Sequence, residues 1–336
     1  MAETVLVTGG TGYVAGWVIV ELLRRGYAVR ASVRSPERGD EVRRAVATEV
    51  DAADRLGFAV ADLTRDDGWA EAVDGVDHVL HVASPLGIED GGDPIGPARD
   101  GTLRVLRAAT EAGVKRVVMT SAANAASPSS YADQSVTDET LWTDPDDPAL
   151  SPYRRSKTVA EKAAWNFMAG ASTRTELTTI LPGAVLGPIL ATGNLGSVRI
   201  IQRMLTGAVP GVPRIGLEIV DVRDLADLHI RAMTSPAAAG ERFLGTGEFT
   251  WMREMAQALR AGLGDAGRKV PARQLPDFLV GATARFDRSL GAIIVSLGRR
   301  NRHTTEKAQR LLGWQPRPAA ETVVACARSL IARGAV

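Results

Sequence analysis

The chain has 336 residues, enough for one elaborated domain or two joined ones. Its 45% hydrophobic and 24% charged residues are globular proportions, and a net charge of +1 argues against nucleic acid or an anionic membrane as partner. A single cysteine, Cys326, excludes an internal disulfide and fits a reducing compartment. No stretch approaches the roughly 18–20 apolar residues of a membrane span. The start, MAETVLVTGG, runs into a strand with no basic-then-apolar leader, so the expectation is a soluble, cytoplasmic protein.

Residues 4–8 (TVLVT) form a β-branched run broken by Gly9-Gly10 and predict a buried strand. Residues 12–25 carry apolar positions at helical spacing and stop at Gly26. Residues 27–33 alternate as a strand, and further strands are predicted at 57–61, 76–82 and 115–121. Helical stretches near 36–50, 66–73 and 94–112 separate them. A loop over 122–151 leads to a helix from Pro152, with Ser151 as its cap, and then to a strand at 175–181. Such alternation predicts an α/β chain with a Rossmann-type doubly wound parallel sheet. Beyond about residue 186 the pattern loosens, with a strand at 218–222, a helix at 224–233 and a last helix at 319–333. The expected division is a dinucleotide-binding domain, 1–185, and a smaller substrate region, 186–336, with elements returning to the first.

The first strand–turn–helix reads Thr8-Gly9-Gly10-Thr11-Gly12-Tyr13-Val14-Ala15-Gly16. Gly9 permits the tight turn, Gly12 lets backbone approach a pyrophosphate, and the helix N-terminus favours its charge. Ala15 is small enough for close helix–sheet packing. After the second strand, where an NAD site usually places a carboxylate, stands Arg34, whose donor fork suits a phosphate. The cofactor expected is therefore NADP(H). Asp62 and Leu63, after the third strand, fall near the adenine pocket, although Asp62 also suits a helix cap.

Tyr153 and Lys157, in YRRSK, lie one helical turn apart on one face. A free phenol, with a pKa of about 10, holds its proton too firmly to exchange it readily near neutrality. An adjacent ammonium favours the phenolate and suits tyrosine to proton delivery.

With these motifs in order, the chain resembles an extended short-chain dehydrogenase/reductase, of the type that includes plant dihydroflavonol reductases and cinnamoyl-CoA reductases. The matching stretches are TGGTGYVAG, VRASVR, Asp62-Leu63, HVASP at 81–85, YRRSK, LPGAVLGP at 181–188, VDVRDLADLHIRAM at 220–233 and KAQRLLGWQPR at 307–317. The resemblance implies Gly9, Thr11, Gly12, Tyr13 and Val14 at the phosphates, with Arg34 selecting NADP(H). It implies Val82, Ala83 and Ser84 along the cofactor, and Tyr153, Lys157, Pro182 and Ser197 around the nicotinamide. Ala15 stands where the family's third glycine falls.

The family strand end is usually Thr-Ser-Ser, and its second serine holds the substrate carbonyl. Here that position is Ala122, and Ser121 matches the first serine, which strand alternation points to the other face. A bend could bring Ser121 or Thr120 to the carbonyl, Asn124 or a water could donate instead, or the bond is missing and the enzyme slower. Ser121 is the third catalytic candidate.

The function expected is reduction of an aldehyde or ketone by NADPH, reversible as alcohol oxidation, on a small-molecule substrate, by a monomer or homodimer. The expected pocket is largely apolar, lined from 84–86, the loop after Ser121, 182–186, Phe278 and Phe286. Rivals are a sugar-nucleotide epimerase or dehydratase, a hydroxysteroid dehydrogenase, and a non-catalytic NADP(H) sensor. Arg34 counts against the epimerases and YRRSK against the sensor. His78, His81, His229 and His303 lack metal-ligand spacing and read as structural or surface residues. Cys326 reads as packing. Trp142 and Tyr131 touch substrate or anchor their loop.

Overall fold

Apolar runs bounded by glycine and proline put β1 to β5, β7 and β9 where the sequence expects strands; β6, β8, β10, β11 and β12 are additional. The computed structural model describes residues 2–84, 93–128, 134–193, 195–208, 210–283 and 296–336. The first half runs β1 (Thr4–Val7), α1 (Tyr13–Arg24), β2 (Ala28–Val33), α2 (Glu37–Ala47), β3 (Leu56–Val60), α3 (Trp69–Val73), β4 (His78–His81), α4 (Ile95–Glu111) and β5 (Arg116–Thr120). A short 3-10 turn (Ala123–Ala126), β6 (Gln134–Thr137), α5 (Pro152–Gly170), β7 (Glu176–Pro182) and β8 (Ala184–Leu186) follow. Then come α6 (Arg199–Leu205), β9 (Gly216–Asp221), α7 (Val222–Thr234), β10 (Arg242–Gly245), β11 (Glu248–Trp251) and α8 (Met252–Leu263). The chain ends with α9 (Asp277–Thr283), β12 (Arg300–His303), α10 (Glu306–Leu312) and α11 (Ala319–Ala332).

Seven strands form one sheet in the order β3-β2-β1-β4-β5-β7-β10, every neighbouring pair parallel. This is the doubly wound arrangement, in which the order reverses beside β1 and opens a crevice at the strand ends. Side chains alternate across the sheet into two cores. On one face Val5 and Val7 join Trp17, Ile19 and Leu22 of α1 with Leu225 and Leu228 of α7. On the other, Leu6 and Val117 join Leu106 of α4 and Ala160 and Ala164 of α5. Each fully buried residue of Val or Leu size contributes about 1.5–3 kcal/mol from removal of apolar surface from water.

Local chemistry fixes where the helices start. Ser151 caps α5 by accepting from Arg154 N at 3.3 Å, with Pro152 in the first turn. The fully buried Asp221 caps α7, accepting from Arg223 N at 2.9 Å. Short strands complete the second half: β8 and β9 pair in parallel, β9 and β11 antiparallel, and β12 pairs with β6. Leu186, Ile201, Met255, Val323 and Cys326 share a third core. The tail docks through Trp314, whose Nε1 donates to Asp224 O at 2.8 Å, and Arg317, ion-paired to Asp224 at 2.7 Å. Among the described residues no helix is long and apolar enough to cross a membrane.

Candidate active site

The glycine turn lies at the mouth of the crevice. Gly9 has φ +71°, and a Cβ there would sit 2.9 Å from Ala83 Cβ, closer than packing allows. Gly9 N donates to Ser32 Oγ at 2.9 Å, Gly10 N to Ser32 O at 2.8 Å, and Gly12 N to Gly9 O at 2.8 Å. Gly12 opens α1 without a side-chain cap, so N–H groups of the first turn keep their capacity for an anion. Thr11, Tyr13 and Val14 are half-buried beside it. The Tyr13 hydroxyl is buried without a partner among the described residues, and burial, with Cys326 and Asp221 nearby, raises its pKa well above the ordinary value. Thr8 Oγ1 accepts from Ala83 N at 3.0 Å and meets His81 Nδ1 at 2.9 Å. Burial, helped by the Lys157 charge, pushes His81 down to about 3, so it braces the Ala83 strand end as a neutral ring.

Arg34 follows β2 and is exposed. The Asp62 carboxylate takes Thr64 N and Thr64 Oγ1, each at 2.8 Å. Burial works to raise its pKa, but these bonds and the charges of Arg34 and Arg65 hold it below the ordinary value. Asp62 thus anchors its own turn while lying within the field of Arg34. Leu63 packs on the α4 side of the core, and Val82, Ala83 and Ser84 are half-buried along the crevice.

A cleft of about 630 Å³ opens between the strand ends and the second half of the chain. Tyr153, Ala122, Asn124, Pro182 and Ser197 border it. Tyr153 has 44% of its surface exposed, yet the chain around its phenol removes enough water to raise its pKa above the ordinary value. The sequence leads to the expectation that the adjacent ammonium lowers that pKa; the shift is instead upward, and burial is its cause. Lys157, one turn deeper, is buried, and this drives its pKa down to about 8 against the opposing pull of Glu161.

The strand end runs differently from the catalytic candidacy of Ser121. Ser121 is buried, and its Oγ donates to Glu161 Oε2 at 2.6 Å. Glu161 also accepts from Thr179 Oγ1 at 2.8 Å and Arg242 Nε at 2.9 Å, and is itself fully buried. Arg242 stacks 3.6 Å over Trp142 and donates to Glu139 O and Leu141 O, so Trp142 anchors the loop. Ser121 therefore belongs to a buried network beneath α5 and is absent from the residues bordering the cleft. Alternation explains this: the preceding Thr120 turns to the other face and meets His229 Nε2 at 2.7 Å.

The profile of the NAD dependent epimerase/dehydratase family matches residues 5–244. The chain belongs to this family, the extended short-chain dehydrogenases/reductases. It is 38% identical to cinnamoyl-CoA reductase 1 of Petunia hybrida over 242 residues, 71% of each chain. It is 33% identical to dihydroflavonol 4-reductase of Zea mays over 267 residues, 76% of this chain and 73% of the relative. The solved structure of Gre2 in complex with NADPH from Candida albicans superposes with TM-score 0.82 at 26% identity, covering 98% of this chain and 99% of that one.

Other parts of this extended reductase-family cleft escaped sequence reading. His303, set aside there as structural or surface, borders the cleft, with Nδ1 at 2.5 Å from Glu218 Oε2 and Nε2 at 2.9 Å from Ser127 Oγ. With Arg299 and Asn301 it makes one wall polar, so the cleft is mixed rather than largely apolar. A lone histidine far along the chain gives no spacing signal; only β12 brings it here. Phe278, expected in the lining, is 74% exposed and does not border the cleft. Pro85, Leu86, Tyr131 and Phe286 lie outside the described residues. Cys326 is fully buried and its thiol is pushed up to about 12 by burial, as an inert packing residue requires. Among the described residues no group of three or more His, Cys, Asp or Glu is placed to hold a metal ion.

Proposed function

We propose that this oxidoreductase reduces the carbonyl group of an aldehyde or ketone, reversibly, with Tyr153 as proton donor. Its cofactor is NADP(H). The glycine turn fits the cofactor: a Cβ at Gly9 would fill the space against Ala83, and the first turn of α1 is uncapped. Gly9, Thr11, Gly12, Tyr13 and Val14 would hold the phosphates, Arg34 the additional 2′-phosphate, and Val82, Ala83, Ser84, Pro182 and Ser197 the remainder. When bound, the nicotinamide supplies the hydride.

The chain's own residues do the rest. Tyr153 delivers its phenolic proton to the carbonyl oxygen, and Lys157, charged below about pH 8, holds the ribose and steadies the phenolate left behind. Residues 1–185 form the cofactor half. The region 186–336 builds the substrate side, supplying Ser197, Glu218 and His303 to the cleft. The observation that carries this proposal is Tyr153 opening onto the cleft one turn above a buried lysine.

The test is NADPH oxidation against a panel of aromatic and aliphatic aldehydes and ketones, with NADH alongside and Tyr153→Phe as control. Turnover that prefers NADPH and vanishes in Tyr153→Phe, with NADPH binding kept, supports the assignment. Unchanged turnover in Tyr153→Phe removes that residue from the reaction.

A further inference from the structure

A carbonyl that takes a proton from Tyr153 also needs a fixed donor on its oxygen, and loss of one such donor typically costs about 10²–10³ in rate. The strand end does not supply it. Thr120 Oγ1 lies against His229 Nε2 at 2.7 Å on one side of the sheet, and Ser121 Oγ is spent on Glu161 at 2.6 Å on the other. Ala122, extended at φ −157°, reaches the cleft with only a methyl group. Ser127, at the far end of the 3-10 turn, is buried, donates to Ala123 O at 2.9 Å and meets His303.

Between them the turn reads Ala123-Asn124-Ala125-Ala126. Asn124 is the polar side chain of that turn; it is half-buried where its neighbours are buried, and it borders the same cleft as Tyr153. Its backbone is pinned. Thr143 Oγ1 donates to Asn124 O at 2.7 Å, Thr143 N to Ala125 O at 3.0 Å, and Ala125 N to Ala122 O at 2.9 Å. A carboxamide carries two N–H donors and an acceptor oxygen, so a contact within the wall does not by itself exhaust it. A donor on a rigid turn costs little reorganisation when the charge develops.

We propose that the Asn124 carboxamide holds the substrate's carbonyl oxygen, in the role that the family pattern gives to the position of Ala122. This rests on carbonyl reduction as proposed above. The test compares wild type, Asn124→Ala, the near-isosteric Asn124→Leu and the double variant Asn124→Ala/Ala122→Ser with the best carbonyl substrate of the panel. NADPH affinity, read from its fluorescence, reports folding.

Both single variants are expected to lose roughly 10²-fold in kcat, with KM changed far less and NADPH affinity kept. The serine of the double variant is expected to recover about tenfold or more, because it restores a hydroxyl at the family position. Turnover within about twofold of wild type in either folded single variant overturns the assignment and leaves the reductase proposal standing. A double variant no faster than Asn124→Ala also overturns it. A wild-type protein inert toward the whole panel overturns carbonyl reduction, and this assignment with it.

Discussion

Lys157 is costly to bury, and the cost can be measured by removing it. Its pKa falls from 10.5 to about 8, which at 1.36 kcal/mol per pH unit amounts to about 3 kcal/mol of native-state penalty. Below about pH 8 both folded and unfolded chains carry the ammonium, and the folded state bears the whole penalty. Between about 8 and 10.5 the folded chain has shed a proton that the unfolded chain keeps, so stability rises with pH and the penalty shrinks. Lys157→Met, of similar length and without the amine, is therefore expected to be inactive and more stable than wild type at pH 6.5. The gain is up to about 3 kcal/mol, less whatever contacts the amine makes. At pH 9.5 the remaining penalty is only about 1.4 kcal/mol, so the gain should drop by roughly 2 kcal/mol. Urea unfolding followed by the fluorescence of the six tryptophans, at both pH values, measures it. A variant less stable than wild type at pH 6.5, or one whose gain does not change with pH, would refute the reasoning.

Three further outcomes are expected. Gly9→Ala places a side chain at φ +71°, costing about 1–2 kcal/mol, and drives its Cβ against Ala83; NADPH titration should show affinity down tenfold or more. Arg34→Ala should cut the preference for NADPH over NADH by about 10–10²-fold, as loss of a charge-assisted bond of about 1.5–3 kcal/mol implies, read as the ratio of kcat/KM values. Ser121→Ala should lower stability by about 1–3 kcal/mol, since Glu161 loses a buried donor, while kcat stays near wild type; a collapse of kcat in a folded Ser121→Ala would return Ser121 to the chemistry.

Six strands of the main sheet were legible because parallel strands buried on both faces are continuous apolar runs, and Gly9, Gly26 and Pro182 punctuate them; the edge strand Arg242–Gly245 was not. The cofactor turn was legible because its residues are neighbours in sequence. The walls of the cleft were not. Ala184–Leu186, Glu248–Trp251 and Arg300–His303 are too short for a period to register, and each is defined by a partner far along the chain. Ser121 shows a finer limit. Motif alignment gave its position and alternation gave its direction, but the partner that absorbs its hydroxyl, Glu161 on α5, emerges only once helix and strand pack.

The contact between Ser127 and His303 spans 176 positions. During synthesis the glycine turn and its strands have their partners early, but this wall of the cleft waits until His303 has left the ribosome. A nascent chain released or stalled before that point would carry Tyr153 and a cofactor turn with no finished pocket. Contacts of such long sequence separation close late and slowly. The cleft is thereby the last part of the enzyme to be assembled, and reductase activity, in a refolding experiment, should return after the sheet does.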